Sequence, residues 1–249
     1  MGGSLSVAQR LPGTEYEVTF VDEAGREQRE PLERAWSVPF EYGRPVRALR
    51  SFKGQKNFTG VWFAASVGRH VGFESWVERD QAMWLDFDRE VASFASQPFV
   101  LSWAAGGHRR RHVPDYFARL VDGTGVVIDV RPDELVDTAS QEQFAAMAEA
   151  CEAVGWVFRR VGVLDPVMAA NLRWLAGYRH ERCCSPRFAG VCREVFAEPR
   201  PLMAGAGMIG DPIAVLPTLF HLLWRQELTT DVTSRVLGPG SVVRAGDGS

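Results

Sequence analysis

The chain has 249 residues, of which 46% are hydrophobic and 24% are charged. This composition provides enough apolar material for a sizeable folded core and excludes a disordered or low-complexity protein. The net charge of −3 excludes a uniformly basic coat for nucleic acid, although arginines are concentrated locally. Neither an apolar signal segment nor an uninterrupted apolar run of about 18 residues is present, so we expect a cytoplasmic protein without a membrane partner.

The first segment, residues 1–70, is predicted to be an extension of strands and loops. One of its strands is expected at Val61–Ser66, an apolar run between two glycines. It contains no catalytic motif.

A helix is predicted at Phe73–Phe87, because apolar residues recur there at intervals of three and four. Glu74 and Glu78 share a stripe beside the apolar face, one helical turn apart. We expect one of these carboxylates to point towards the following sheet. Solvent exposure with support from a nearby arginine is the alternative.

Two short strands, Val91–Phe94 and Phe99–Trp103, are predicted after the helix, followed by the basic run HRRRH at residues 108–112. This run is either a solvated basic face or a nucleic-acid surface, and charge alone does not distinguish them.

A β-hairpin is predicted next, with strands at Tyr116–Val121 and Val126–Val130 joined by a turn at Asp122–Gly125. The hairpin brings Asp115 and Asp129 to one end of the sheet. A plain even loop places these carboxylates on opposite faces, whereas an extra residue or a glycine bulge places them on the same face.

A helix at Ser140–Val154 with an S-x-x-Q capping pattern, and then a strand at Trp156–Val163, complete residues 71–165. The order of these elements predicts an α/β fold with a mixed sheet flanked by helices.

The last segment, residues 166–249, is predicted to be a C-terminal helical module. Helices are expected to begin at Asp165–Pro166 and at Asp211–Pro212, the second running to Trp224, and GPGSVVR at 238–244 resembles a wing. A winged-helix module and a plain helical cap are the two alternatives.

The cysteines at 151, 183, 184 and 192 lack paired C-x2-C spacing. We therefore expect ordinary buried thiols, with a structural zinc site that includes His180 as the alternative.

The residues Pro114-Asp115 followed by Asp129-Val130-Arg131 fit the PD-(D/E)xK pattern of nucleases, with arginine in the lysine position. Carboxylates suit this chemistry because Mg2+ prefers oxygen ligands, and the bound ion activates water and neutralises charge on the scissile phosphate. The short motif alone is weak, since ordinary hairpins also produce it.

The upstream helix makes the pattern more specific. Together with the hairpin, the segments Glu78-Arg79-Asp80, Gln97-Pro98 and Pro114–Phe117 resemble the TnsA endonuclease subunit of heteromeric transposases. The resemblance covers about residues 52–165 and, more loosely, the C-terminal helices. It implies a restriction-endonuclease-like core in which Glu78, Asp115, Asp129 and Arg131 occupy the catalytic positions.

The resemblance also implies the activity and the partners. The protein is expected to nick double-stranded DNA at transposon ends, on the strand that is not joined to the target. An integrase-type transposase subunit cuts the other strand in such systems, and an ATPase regulator contacts the pair.

The expected roles follow from this match. Asp115 and Asp129 hold Mg2+, or Mn2+ as a substitute, with the Val130 carbonyl as an extra ligand. Glu78 is a further ligand or positions water, and Glu74 is its alternative. Arg131 clamps phosphate but stays protonated and cannot act as a general base.

Two other functions remain open on the sequence. One is a different nuclease of the same fold, for restriction, repair or junction resolution, because fold and ligands do not specify the DNA cleaved. The other is an inactive DNA-binding or assembly subunit in which Arg131 marks lost catalysis.

Overall fold

The computed structural model describes residues 15–48 and 58–246. Within them the chain has a mixed α/β architecture with several sheets and seven α-helices, as the sequence predicts. The strands, in chain order, are β1 (Glu17–Val21), β2 (Glu27–Pro31), β3 (Gly60–Ala64), β4 (Arg69–Phe73), β5 (Val91–Ser96), β6 (Phe99–Ala105), β7 (His108–His112), β8 (Tyr116–Leu120), β9 (Gly125–Val130), β10 (Val157–Val161), β11 (Arg200–Pro201), β12 (Leu228–Thr230) and β13 (Val242–Ala245). The helices are α1 (Leu32–Ala35), α2 (Trp76–Phe87), α3 (Thr138–Ala153), α4 (Pro166–Ala176), α5 (Pro186–Val195), α6 (Leu202–Ile209) and α7 (Pro212–Trp224).

The contacts group the described residues into two compact units. The first unit takes its residues from Met1–Trp62, His70–Glu78 and Glu90–Gly162, and the second from Phe63–Arg69, Arg79–Arg89 and Val163–Ser249. The division into three segments expected from the sequence stays a prediction.

The first unit contains two four-stranded sheets. One has the order β2-β1-β6-β7, with every neighbouring pair antiparallel. The other has the order β10-β9-β8-β5, in which β9 and β10 are parallel and α3 lies between them in the sequence. A parallel pair needs a crossover of this length, which explains why a long helix follows the hairpin.

An aromatic cluster links the two sheets. The Phe40 ring centroid lies 5.0 Å from that of Phe99 on β6, and 5.6 Å from those of Phe117 on β8 and Trp156 before β10. All four side chains are buried. Burial of a large apolar side chain contributes about 1.5–3 kcal/mol, so this cluster is a main source of stability.

The β8–β9 hairpin has the register that places its two aspartates on one face. Tyr116 pairs with Ile128 and Arg119 pairs with Gly125, so the same register carried outward sets Asp115 opposite Asp129. The loop closes through the Leu120 N–H, which donates to the Thr124 carbonyl at 2.9 Å, and Gly123 adopts a φ of 89°. This geometry is the glycine-bulge alternative of the sequence analysis.

Two helices begin at residues other than those predicted: α2 begins three residues later and α3 begins two residues earlier. Helix α2 begins at Trp76 instead of Phe73, because Phe73 ends β4 and Ser75 caps the helix. Helix α3 begins at Thr138, because the carboxylate of Asp137 accepts a hydrogen bond from the Ser140 N–H at 2.8 Å. Ser140 is therefore inside the helix and is not its cap.

The second unit contains helices α4 to α7 and a small sheet. Its C-terminal part runs α5, β11, α6, α7, β12, β13, and the sheet order is β11-β13-β12. The predicted start of α7 is confirmed, since the Asp211 carboxylate accepts from the Ile213 N–H at 3.0 Å. No single helix in the described ranges is long and apolar enough to cross a membrane, and α6 and α7 meet that criterion only as a pair bent by 120°.

We predict that Gly125→Ala destabilises the first unit by about 1–3 kcal/mol, the usual cost of overpacking. A Cβ at this position would lie 2.7 Å from the Trp156 ring and 3.0 Å from the Phe117 ring. Denaturant unfolding monitored by tryptophan fluorescence measures the change. Gly162→Ala is the control, because its Cβ would meet only ordinary contacts at 3.8 Å. Equal effects of the two substitutions would contradict the packing described for the hairpin.

Candidate functional site

Asp115 lies between β7 and β8, where the chain passes from one sheet of the first unit to the other. Its Oδ2 atom accepts a hydrogen bond from the Val130 N–H at 2.7 Å. Its backbone carbonyl accepts from the Gln97 N–H at 2.8 Å. Asp115 is therefore fixed by both its side chain and its backbone at the open end of the hairpin.

The Asp115 carboxylate is buried and lies near two other carboxylates. Burial raises its pKa well above the ordinary value, and the nearby carboxylates of Glu78 and Asp129 raise it further. The Val130 N–H and the guanidinium of Arg47 act in the opposite direction. Glu78 and Asp129 therefore lie close enough to Asp115 for their charges to affect its protonation.

Asp129 is buried near the end of β9 and is bound by a histidine. The Nε2 atom of His112 lies 2.9 Å from Oδ1 and 2.8 Å from Oδ2 of Asp129. His112 ends β7 in the other sheet, so this contact joins the two sheets at the site. It also fixes the orientation of the Asp129 carboxylate.

Glu78 lies in the first turn of α2, and its carboxylate caps that helix. Its Oε2 atom accepts from the Glu74 N–H at 2.6 Å, and its Oε1 atom accepts from the Ser75 hydroxyl at 2.9 Å. The Ser75 hydroxyl oxygen in turn accepts from the Glu78 N–H at 3.1 Å, which makes a reciprocal capping arrangement. Burial, followed by the charge of Glu74, raises the pKa of Glu78 despite these bonds.

Tyr116 fixes the start of α2 beside the hairpin. Its ring is fully buried on β8, and its hydroxyl donates to the carbonyl oxygens of Gly72 at 3.3 Å and Glu78 at 3.1 Å. Because Tyr116 follows Asp115 directly, this contact keeps Glu78 close to the aspartate pair.

Glu74, the alternative to Glu78, is engaged elsewhere. Its Oε2 atom forms an ion pair of 2.7 Å with the Arg47 guanidinium. Glu74 also precedes α2, which begins at Trp76, so the prediction that both carboxylates lie on one helix is wrong. Glu78, and not Glu74, is among the charges that raise the pKa of Asp115.

Arg131 is placed differently from the three carboxylates. Its guanidinium is exposed, and its Nη2 atom donates to the Ser140 hydroxyl at 3.3 Å. Across the described ranges it forms no ion pair with Asp115 or Asp129. The backbone of Val130, the predicted source of an extra ligand, contributes its N–H to Asp115.

Gln97 combines two features that are uncommon in a folded core. Its φ angle is +48°, in the left-handed region, and its buried Oε1 atom has no hydrogen-bond partner among the described residues. Strained backbone and unsatisfied buried acceptors occur preferentially at functional sites. The backbone N–H of Gln97 binds the Asp115 carbonyl, so this strain is adjacent to the carboxylate cluster.

The donor chemistry of the cluster fits a hard divalent cation. Glu78, Asp115 and Asp129 supply carboxylate oxygens only. Burial is the main cause of the raised Asp115 pKa, and an added cation would offset the further contribution of the two neighbouring carboxylates. As the side chains stand, no group of three or more His, Cys, Asp or Glu residues within 15–48 and 58–246 is arranged to hold a metal. A bound ion would therefore compete with the His112 and Ser75 contacts.

The four cysteines are free, and two of them are buried. Cys151 and Cys192 have the burial that the sequence predicts, whereas Cys183 and Cys184 are half-buried. Burial raises the pKa of the Cys151 thiol to about 12 and that of the Cys192 thiol to about 11.

Sequence reasoning missed three residues of this site. From the sequence, His112 is assigned only to a basic run, and Arg47 belongs to no local motif. Gln97 belongs to the segment Gln97-Pro98 of the family resemblance, which implies no role for it. Their positions in the sequence are the only indication of a role in the site. His112 lies three residues before Asp115, and Gln97 lies in the turn between two predicted strands.

No protein-family model matches the sequence, and none of the curated proteins with which it was compared does so either. The function is therefore inferred from the geometry of the site.

We predict that Asp115→Asn stabilises the protein, and that the gain grows as the pH rises. The folded state raises the pKa of Asp115, so its contribution to stability is complete at acidic pH and is lost as the pH rises through that raised value. Asparagine keeps an acceptor for the Val130 N–H without the charge. At pH 8 we expect a melting temperature higher by roughly 2–4 °C, the shift that about 1 kcal/mol produces in a chain of this size.

Thermal melts from pH 4 to 9 measure this difference. Asp122→Asn is the control, because the Thr124 N–H lowers the pKa of this exposed turn aspartate and neutralisation there should not stabilise. A gain for Asp115→Asn that is independent of pH would contradict the electrostatic account.

Proposed function

We propose that the chain is the metal-dependent DNA endonuclease subunit of a heteromeric transposase, similar to TnsA, and hydrolyses a phosphodiester of the non-transferred strand at transposon ends. The observation that carries the proposal is the grouping of Glu78, Asp115 and Asp129. The hairpin register sets Asp115 opposite Asp129, and the Tyr116 hydroxyl, next to Asp115, binds the Glu78 carbonyl. An integrase-type transposase subunit and an ATPase regulator are the proposed partners.

The arrangement of the strands supports this proposal. The sheet β10-β9-β8-β5 is mixed, α2 precedes it in the sequence, and α3 connects its parallel strands. This is compatible with a restriction-endonuclease-like core, in which the carboxylates project from a hairpin and from the preceding helix. The order α5, β11, α6, α7, β12, β13 is likewise compatible with the proposed winged-helix module.

Mg2+ is the proposed cofactor, held by the carboxylates of Asp115, Asp129 and Glu78 and by the Val130 carbonyl. When bound, the ion supplies an activated water and neutralises charge on the scissile phosphate. The protein residues position these groups. His112 orients Asp129, and Tyr116 keeps the first turn of α2 beside Asp115.

The exposed strand β7 supports an approach of DNA to this site. It is the outer strand of its sheet, and the side chains of residues 108–111 are exposed. Since side chains alternate along a strand, Arg110 lies on the same face as His112, whose ring contacts Asp129. Arg110 is thus suited to bind a phosphate near the carboxylates. Arg109 forms an ion pair with Glu17 instead.

The second candidate function is an inactive DNA-binding or assembly subunit. Two observations favour it: Arg131 contacts Ser140 and not the carboxylates, and Glu78 is engaged in capping its helix. A nuclease of another biological role shares the same site and differs from our proposal only in its DNA substrate.

A plasmid-nicking assay tests the proposal. The full chain is assayed with Mg2+ or Mn2+, alone and with its partner transposase, on DNA that carries the transposon ends. We expect nicking of one strand by the wild type and a loss of at least about 10-fold in Asp115→Ala, because loss of even a supporting partner of a metal ligand typically costs about 10- to 100-fold.

Asp122→Ala is the matched control, since it removes an exposed aspartate from the tip of the same hairpin. It should nick as the wild type does. Equal nicking by the complete complex with Asp115→Ala would refute the catalytic assignment, and absence of nicking in every complex that binds the ends would favour the inactive subunit.

A further inference from the structure

A second site of concentrated charge lies within the second unit, and it includes none of the residues of the carboxylate cluster. It is a cavity of about 360 Å³. The residues that matter for its chemistry are Phe63, Arg179, His180, Glu181, Arg182 and Arg225. Three arginines and one histidine thus line a single cavity.

Arg179 is the fixed cation of the cavity. Its Nε atom donates to the Phe63 carbonyl at 3.0 Å, and its Nη1 atom donates to the Ala176 carbonyl at 2.6 Å. Burial lowers the pKa of Arg179, the charge of Arg182 lowers it further, and Asp86 opposes these effects. The guanidinium stays charged, and its remaining donors are held in place by the backbone contacts.

Arg182 and Arg225 are the accessible cations. Both are exposed, Arg182 in the short turn Glu181–Cys183 and Arg225 directly after α7. In the described part of the chain neither forms an ion pair within 4.0 Å. Glu181 is the carboxylate on the wall, and its side chain is 86% exposed, with its Oε2 atom 4.0 Å from His221 Nε2.

The pKa of His180 is sensitive to the positive charges of the cavity. Its ring stacks on Phe63, with centroids 5.3 Å apart and planes inclined by 20°. Burial lowers the pKa of His180, and the charges of Arg179 and Arg182 lower it further. A bound anion would reverse the electrostatic part of this effect.

We infer that this cavity binds a phosphate group, and that the phosphate is a diester of the DNA backbone. Guanidinium groups match phosphate oxygens in fork geometry, and two of the three are available for that contact. The chemistry of the ligand rests on the cavity alone. Its source in DNA rests on the proposed function, because a protein that nicks DNA needs backbone contacts that hold the duplex.

The first experiment uses inorganic phosphate as the probe. The His180 ring proton of the full chain is followed by NMR over a pH series, and His180→Gln provides its assignment. Phosphate should raise the pKa of His180 in the wild type and in Arg235→Gln, which removes an exposed arginine outside the cavity. It should have no effect on His180 in the double variant Arg182→Gln/Arg225→Gln.

The second experiment measures affinity for duplex DNA against salt concentration, without divalent ions. Cleavage is then absent, so a failure of the nuclease proposal leaves the result interpretable. The double variant should bind more weakly, and its log–log salt slope should be shallower by about 0.9 for each lost phosphate contact. Arg235→Gln should keep the wild-type slope.

Two results would overturn the inference. An unchanged His180 pKa on addition of phosphate would refute the anion site itself. A phosphate response at His180 with equal DNA slopes for the double variant and Arg235→Gln would refute the DNA assignment and identify a free phosphate compound as the ligand. Because both substituted arginines are exposed, melting curves of the variants should match the wild type.

Discussion

The register of the β8–β9 hairpin is the constraint on which the candidate site depends. The loop closed by Leu120 and Thr124, with Gly123 at positive φ, sets Asp115 opposite Asp129. A shift of one residue would turn one carboxylate to the other face and separate the pair. The same register places Phe117 and Tyr116 in the interior, where one packs in the aromatic core and the other contacts the start of α2.

Grouping three carboxylates is unfavourable, and the surrounding contacts limit that cost. Asp115 accepts from a backbone N–H, Asp129 is held by His112, and Glu78 accepts from the residues that begin its helix. The bonds to Asp115 and Glu78 favour their charged forms, but burial and then the neighbouring carboxylates leave the pKa of Asp115 raised, so its charged form is disfavoured in the folded protein. A loss of stability at such a cluster is expected if it has the proposed role of binding a cation.

The sequence predicts the parts of this structure that depend on local patterns. The hairpin, the capped start of α7 and the mixed α/β class follow from alternation, turn residues and caps. The His112–Asp129 contact could not be predicted, because it joins strands of two different sheets. The orientation of Arg131 could not be predicted either. Side-chain alternation along the strand places Arg131 on the same face as Asp129, but its guanidinium contacts the Ser140 hydroxyl. Long-range contacts and side-chain orientation therefore account for most of what the sequence leaves open.

The most direct test of the central claim is a crystal soaked in Mn2+ and measured for anomalous scattering. We predict a peak between the carboxylates of Asp115 and Asp129, with the Glu78 side chain turned towards it from its capping position. Absence of a peak at millimolar Mn2+, with Asp115 still on the Val130 N–H and Asp129 still on His112, would contradict a metal-dependent site and leave the cluster as a structural device.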